Sequence, residues 1–217
     1  TPPDLIAPVP CARWRLDRDD VGRRWPGAGG DPPAVFGGFL AGFPDVELFD
    51  RALCGVTEVE ADAMDPQQRL VLERALFVAA AAPGDPEWGS GAGPGWEGSG
   101  RHEGALGVLV GIATADYASL QQTYRPGACV YMASGRAASV AAGRVSYVLG
   151  AKGPSISVDT ACSSSLVCAH LAAGTTSGGD TARALVCGVN LVLDPLATMY
   201  FAWAGMLAPD GRCKTLD

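Results

Sequence analysis

Hydrophobic positions along this chain fall into a few short runs, separated by stretches rich in glycine and proline. Ala105-Leu106-Gly107-Val108-Leu109-Val110-Gly111-Ile112 is apolar at every position, which predicts a strand buried on both faces in a parallel or mixed sheet. Gly153 to Asp159 and Leu185 to Leu193 predict a second and a third strand. Between them, Ala137 to Leu149 and Ser163 to Ala173 predict helices dominated by small residues, with Ala137, Ala138, Ala141 and Ala142 permitting close packing. An earlier helix opens at Met64-Asp65-Pro66-Gln67-Gln68-Arg69, with Asp65 as N-cap and Pro66 at the first helical position, where its missing N–H is no loss. Leu70 to Ala82 continue it with apolar residues on most faces, which predicts burial between layers. Strands alternating with helices argue for a layered α/β domain.

Two segments lack this periodicity. Residues 1 to 35 are rich in Pro, Gly and Arg and read as irregular surface chain. Residues 83 to 104 form a Gly/Pro/Ser insertion that reads as flexible. It contains Gly93-Pro94-Gly95-Trp96-Glu97-Gly98, a formal GxGxxG. A phosphate-binding loop of that type needs a strand before it and a helix after it, so this one reads as low-complexity loop.

Composition narrows the function classes. The 217 residues are 48% hydrophobic, enough for one domain with a real core. The longest apolar run, Ala75 to Ala82, is too short for a bilayer span. A net charge of −7 without a local basic patch argues against nucleic acid. Seven irregularly spaced cysteines with no CxxC pair favour free thiols in a reducing, cytoplasmic setting, with a plastid left open, over disulfides or structural zinc.

One cysteine differs from the other six. Cys162 lies in Asp159-Thr160-Ala161-Cys162-Ser163-Ser164-Ser165-Leu166, directly after a predicted strand and at the start of a predicted helix. The unpaired N–H groups and positive dipole end of a first helical turn stabilise a thiolate, and the backbone of a tight turn there can face the oxyanion formed when a carbonyl is attacked. Local context alone leaves Cys162 evenly placed between a nucleophile and a small buried hydrophobe. Ser163, Ser164 and Ser165 read as first-turn residues bonding the orphan N–H groups, and no GxSxG elbow promotes one of them to nucleophile. His170 lies eight residues along the helix, roughly 12 Å of rise, too far to serve Cys162 as base, and reads as buried or capping. His102 falls in the insertion. The residues themselves therefore offer a nucleophile without a base.

Val158-Asp159-Thr160-Ala161-Cys162-Ser163-Ser164-Ser165-Leu166-Val167 resembles the active-site signature of β-ketoacyl synthases, specifically ketosynthase domains of type I polyketide synthases and related fatty acid synthases. Four more segments agree in order and spacing: Val9 to Trp14, Met64 to Arg69, Ala142 to Gly150, and Leu207 to Asp217. The resemblance covers nearly all of residues 1–217 outside the insertion and makes Cys162 the expected catalytic residue.

The resemblance implies the N-terminal half of a thiolase-like α/β fold, with layers around a central mixed sheet, truncated at both ends. It implies a decarboxylative Claisen condensation in polyketide or fatty acid biosynthesis. An acyl chain passes from the phosphopantetheine of an acyl carrier protein to Cys162, and a malonyl-derived carbanion then attacks that thioester. No cofactor is bound directly; the partners are the carrier protein and the acyl and malonyl thioesters. Further implications are a homodimer seam along Pro154 to Asp159, Met132 close to the partner's acyl pocket, and Phe201 on the acyl tunnel, both residues reading equally well as ordinary core. The family's two catalytic histidines and a Gly/Phe-rich loop completing the oxyanion hole have no counterpart here. The alternatives are thus a catalytically incomplete module that only accepts an acyl group or binds a partner, and, more distantly, a cysteine hydrolase.

Overall fold

The computed structural model describes residues 6–10, 36–39, 48–81, 105–124, 127 and 129–214, and these fall into two units. The first gathers the chain's two ends, Thr1–Asp45 and Val192–Asp217. In it β1 (Ile6–Pro8) pairs antiparallel with β2 (Phe36–Gly38). Residues 6–8, expected to be irregular, are therefore a strand; antiparallel pairing with a sequence-distant partner leaves no periodic trace in three residues. The Cys11 to Pro33 stretch and the 83–104 insertion lie outside the described residues.

The second unit, Val46–Leu191, carries the sheet. Its elements are α1 (Glu58–Ala63), α2 (Pro66–Ala81), β3 (Leu106–Ile112), α3 (Asp116–Tyr124), α4 (Met132–Arg136), α5 (Val140–Leu149), β4 (Ser155–Val158), α6 (Ser164–Ser177) and β5 (Arg183–Val189). The strand order is β4-β3-β5, with both ladders parallel. Among the described strands of this sheet none runs antiparallel, so the mixed character expected of it is not present in this part.

β3 is the central strand, and all seven of its residues are buried. Its alternation sorts them into two faces. Leu106, Val108, Val110 and Ile112 join Val71, Leu72 and Ala75 of α2 and Ala141, Ala142 and Val145 of α5 in one core. Leu109 turns the other way, onto Cys168 and Ala172 of α6. The sheet is thus sandwiched between α2 and α5 on one side and α6 on the other.

The helices refine the expectations. Asp65 is the N-cap of α2, its Oδ1 accepting the Gln67 N–H at 2.8 Å. The helix is not enclosed on all sides: Phe77 and Val78 are 66% and 50% exposed, while Val71, Leu72, Ala75 and Ala79 are buried. Its apolar outer positions are therefore not evidence of a second covering layer. The helix expected from Ala137 starts at Val140, because residues 132–136 close off as the separate short α4 and Ala137 is extended. α6 continues beyond Ala173 to Ser177, its last turn held by Thr175 and Thr176 hydroxyls donating to the Ala172 carbonyl. β5 stops at Val189, short of Leu193.

Candidate active site

The turn between β4 and α6 is built from its own side chains. Asp159 accepts the Ala161 N–H on Oδ1 at 3.0 Å, folding the chain back immediately after the strand. Ala161 then sits at φ 54, the one non-glycine residue with positive φ among the described residues. A left-handed alanine carries backbone strain, and such residues concentrate at functional turns. Its effect is to reverse the chain within one residue, so that Cys162 stands exposed at the head of α6.

The serines after Cys162 do not cap the helix as expected. No side chain caps the helix at Ser163. The Ser163 hydroxyl donates to the Thr160 carbonyl at 2.8 Å. Ser164 Oγ accepts the Thr160 N–H at 2.9 Å and donates to the Ala161 carbonyl at 2.7 Å. These bonds bind the elbow to the helix rather than quenching the helix's first N–H groups. The N–H groups of Thr160, Ala161, Ser163 and Ser164 are all used within the turn, and that of Cys162 is in none of these bonds. A backbone donor beside an exposed thiol, at the positive end of a fourteen-residue helix, suits an attacking sulfur and the oxyanion its attack creates.

Two glycines let the helix come this close to the sheet. A Cβ at Gly111 of β3 would lie 2.8 Å from the Ser165 backbone nitrogen and 2.9 Å from the Ser164 carbonyl carbon. A Cβ at Gly188 of β5 would lie 2.7 Å from the Ser165 Cβ. The first turn of α6 rests directly on both strands, at positions where an added Cβ would collide with it.

Behind these strands lies a belt of buried polar groups from the first turn of α2. Gln67, with no solvent exposure, donates through Nε2 to the Thr114 carbonyl at 3.0 Å and accepts on Oε1 from Thr114 Oγ1 and from the Leu191 N–H, each at 3.1 Å. Gln68 donates to the Ser134 and Ala137 carbonyls and accepts from Arg144 Nε, while the Arg144 guanidinium also pairs with Glu60. Asp65, 3% exposed, has its carboxyl raised by burial, partly opposed by the bonds it accepts from Gln67.

The remaining described cysteines contrast with Cys162. Burial pushes the Cys54 thiol up to about 12, helped by the charges of Glu73 and Asp50, and burial pushes Cys187 up to about 11. Burial also raises Cys168. Such thiols are protonated and inert near neutrality. Cys213 is exposed and Cys129 half-buried, but neither heads a long helix.

His170 is neither buried nor a cap: it is exposed in the middle of α6, because the buried stripe of that helix runs through Ser164, Cys168 and Ala172. Met132 is half-buried at the first position of α4 in the same unit as Cys162, and Phe201 is 48% exposed on α7 (Pro195–Trp203) in the terminal unit. His102 lies outside the described residues. Among the described residues no group of His, Cys, Asp and Glu could hold a metal ion, and no helix is long and apolar enough to cross a membrane. Sequence reasoning did not find the left-handed Ala161, the Gly111 and Gly188 seats or the role of Gln67. The glycines were visible as interruptions of apolar strands, a recognised sign of close approach.

Comparison with known proteins gives a consistent neighbourhood. The model of the β-ketoacyl synthase N-terminal domain matches residues 3–217. A mycocerosic acid synthase-like polyketide synthase of Mycolicibacterium smegmatis is 36% identical over 214 residues, 99% of this chain and 9% of that protein. The spectinabilin polyketide synthase system protein NorC of Streptomyces orinoci is 40% identical over 189 residues, 87% of this chain and 8% of its own length. The ketosynthase from module 6 of the bacillaene synthase of Bacillus subtilis superposes with a TM-score of 0.73 at 32% identity, covering 98% of this chain and 31% of that one. The chain thus spans about a tenth of these curated relatives and about a third of the solved ketosynthase.

Proposed function

Because this chain belongs to the β-ketoacyl synthase family, as its N-terminal domain, we propose that Cys162 is the acyl-accepting nucleophile of a decarboxylative Claisen condensation in polyketide biosynthesis. The observation that carries this reading is the exposed Cys162 between the strained Ala161 and the start of α6.

The Cys162 thiolate attacks the carbonyl carbon of an acyl thioester on the phosphopantetheine arm of a carrier protein. The oxyanion of the tetrahedral intermediate lies toward the Cys162 N–H, and collapse expels the carrier thiolate, which takes up a proton. A malonyl thioester then loses CO2, and its carbanion attacks the acyl-Cys162 carbonyl. The new carbon–carbon bond forms as the Cys162–acyl bond breaks, returning the thiolate. A thioester serves both halves because sulfur is a good nucleophile and a good leaving group.

The acyl carrier protein and the acyl and malonyl thioesters are the partners this chemistry requires, with no cofactor held by the chain itself. Met132, in the unit that carries Cys162, is assigned a place close to the acyl pocket of a partner copy. A second copy is assigned to the outer edge of β4, whose Ser155 and Ile156 are exposed and which pairs only with β3 among the described strands. The irregular spacing of the seven cysteines, with no CxxC pair, supports a reducing, cytoplasmic setting. The decarboxylating step needs acid–base groups, and exposed His170, eight residues along α6 from Cys162, is not placed to supply them; these 217 residues by themselves are expected to take up an acyl group and to release no CO2 from a malonyl thioester.

Mass spectrometry after incubation with an acyl thioester tests the reading. A stable acyl increment on Cys162, absent from Cys162→Ala, is expected. Labelling that persists in Cys162→Ala defeats the assignment, and rapid release of free acid makes the protein a hydrolase.

A further inference from the structure

We infer that Gln67 is a positioning residue for Cys162, clamping together the exits of the two strands on which the nucleophile's helix rests; this rests on the assignment of Cys162 as acyl acceptor. Thr114 follows β3 and Leu191 follows β5. The same strands supply Gly111 and Gly188, which face each other in register and seat Ser164 and Ser165. Any change in the separation of the two exits is therefore passed to the first turn of α6 and to the Cys162 sulfur and N–H at its head.

The primary amide is the group this clamp needs. Nε2 donates both its hydrogens, to the Thr114 carbonyl at 3.0 Å and to Asp65 Oδ2 at 3.4 Å, and Oε1 accepts two, from Thr114 Oγ1 and the Leu191 N–H. Two donors and two acceptors in one buried side chain are satisfied at once, and neither glutamate nor methionine offers that set. Thr114 Oγ1 also lies 3.3 Å from Asn190 Oδ1, so the two exits meet directly at one point besides their link through Gln67. Gln68, the next residue and also buried, makes its bonds to Ser134, Ala137 and Arg144 instead of to either exit.

The adjacent glutamines make the experiment. In the full-length protein, single-turnover acylation of Cys162 by an acyl thioester is followed by mass spectrometry beside the thermal midpoint, for the parent, Gln67→Met and Gln68→Met. Both variants lower the thermal midpoint. Gln67→Met lowers the maximal acylation rate by about tenfold or more, with the half-saturating thioester concentration within about twofold, since misplacement of a reacting group by an ångström or less acts on the chemical step. Gln68→Met acylates at the parent's rate. Thr114→Val, which removes one hydroxyl from the clamp, is a milder variant expected to slow acylation in the same way, and it decides the matter if Gln67→Met does not fold. Unchanged acylation in folded Gln67→Met, or in Thr114→Val where that variant decides, overturns the inference. So does an equal loss in Gln68→Met. A parent protein that forms no adduct on Cys162 overturns instead the assignment of the nucleophile.

Discussion

Gly111 of β3 and Gly188 of β5 stand opposite each other in the parallel ladder, and Ser165 packs over both. The contacts differ in kind. At Gly188 an added methyl meets a side chain, whereas at Gly111 it meets helix backbone. Gly188→Ala is therefore expected to cost about 1–3 kcal/mol by overpacking. Ser165→Gly in the same chain removes the opposing Cβ and recovers most of that loss, beyond its own helix cost of about 1 kcal/mol. Gly111→Ala is not recovered by Ser165→Gly. Thermal or urea unfolding of the double-mutant cycle reads this directly, and strictly additive effects at Gly188 and Ser165 count against the contact.

Ala161 holds the elbow at φ 54. Glycine adopts that conformation freely but gains entropy in the unfolded chain, so Ala161→Gly stays within about 1 kcal/mol of the parent and keeps Cys162 acylation. A β-branched residue resists it. Ala161→Val is expected to lose about 1–3 kcal/mol and to slow acylation, measured by denaturant unfolding and adduct formation. Full acylation in a folded Val variant contradicts the role given to the turn.

The buried thiols set an alkaline limit. The folded-state value of Cys54 is raised to about 12 from 9.0, so below pH 9 both folded and unfolded chains hold the proton and nothing changes. Above pH 9 the unfolded chain releases it while the folded chain does not, and stability falls by up to about 1.4 kcal/mol per pH unit for such a group. Cys187 acts in the same direction. Urea midpoints between pH 8 and 11 should fall, and Cys54→Ala should show a shallower slope despite starting lower. At pH 8, iodoacetamide should modify Cys162 in the native protein and reach Cys54, Cys168 and Cys187 only after denaturation.

Asp65 acts in the same sense at the acid end. Burial raises its carboxyl above 3.8, so the neutral form is favoured in the folded state. Its favourable share is complete below the unfolded value and disappears as pH rises through the folded one. Asp65→Asn keeps an oxygen for the Gln67 N–H without a buried charge. Thermal midpoints taken from pH 4 to pH 8 should show a smaller decline, or a larger rise, for the Asn variant than for the parent; parallel profiles would argue that the carboxyl is well solvated.

Much of this protein was legible locally. A seven-residue run such as Leu106 to Ile112, after a Gly-rich stretch and rich in Val and Ile, reads as a strand, Asp65-Pro66 starts a helix by capping chemistry alone, and Cys162 between a strand and a helix is visible in the sequence. Those features depend on residues a few positions apart, and the order of motifs was enough to indicate the family. Other features depend on which distant segments meet. An all-apolar strand does not say that Leu109 faces α6 while Val108 and Val110 face α2 and α5. Nor could His170 be placed: a helix with small residues on every side hides its buried stripe until the sheet selects it. Gly111 and Gly188 interrupt their strands for a reason supplied by Ser165, and Gln67 is a polar residue in the core because two strand exits converge on its amide. Periodicity and capping are written in neighbouring residues, whereas close approach and satisfaction of buried polar groups exist only once the chain has brought its distant parts together.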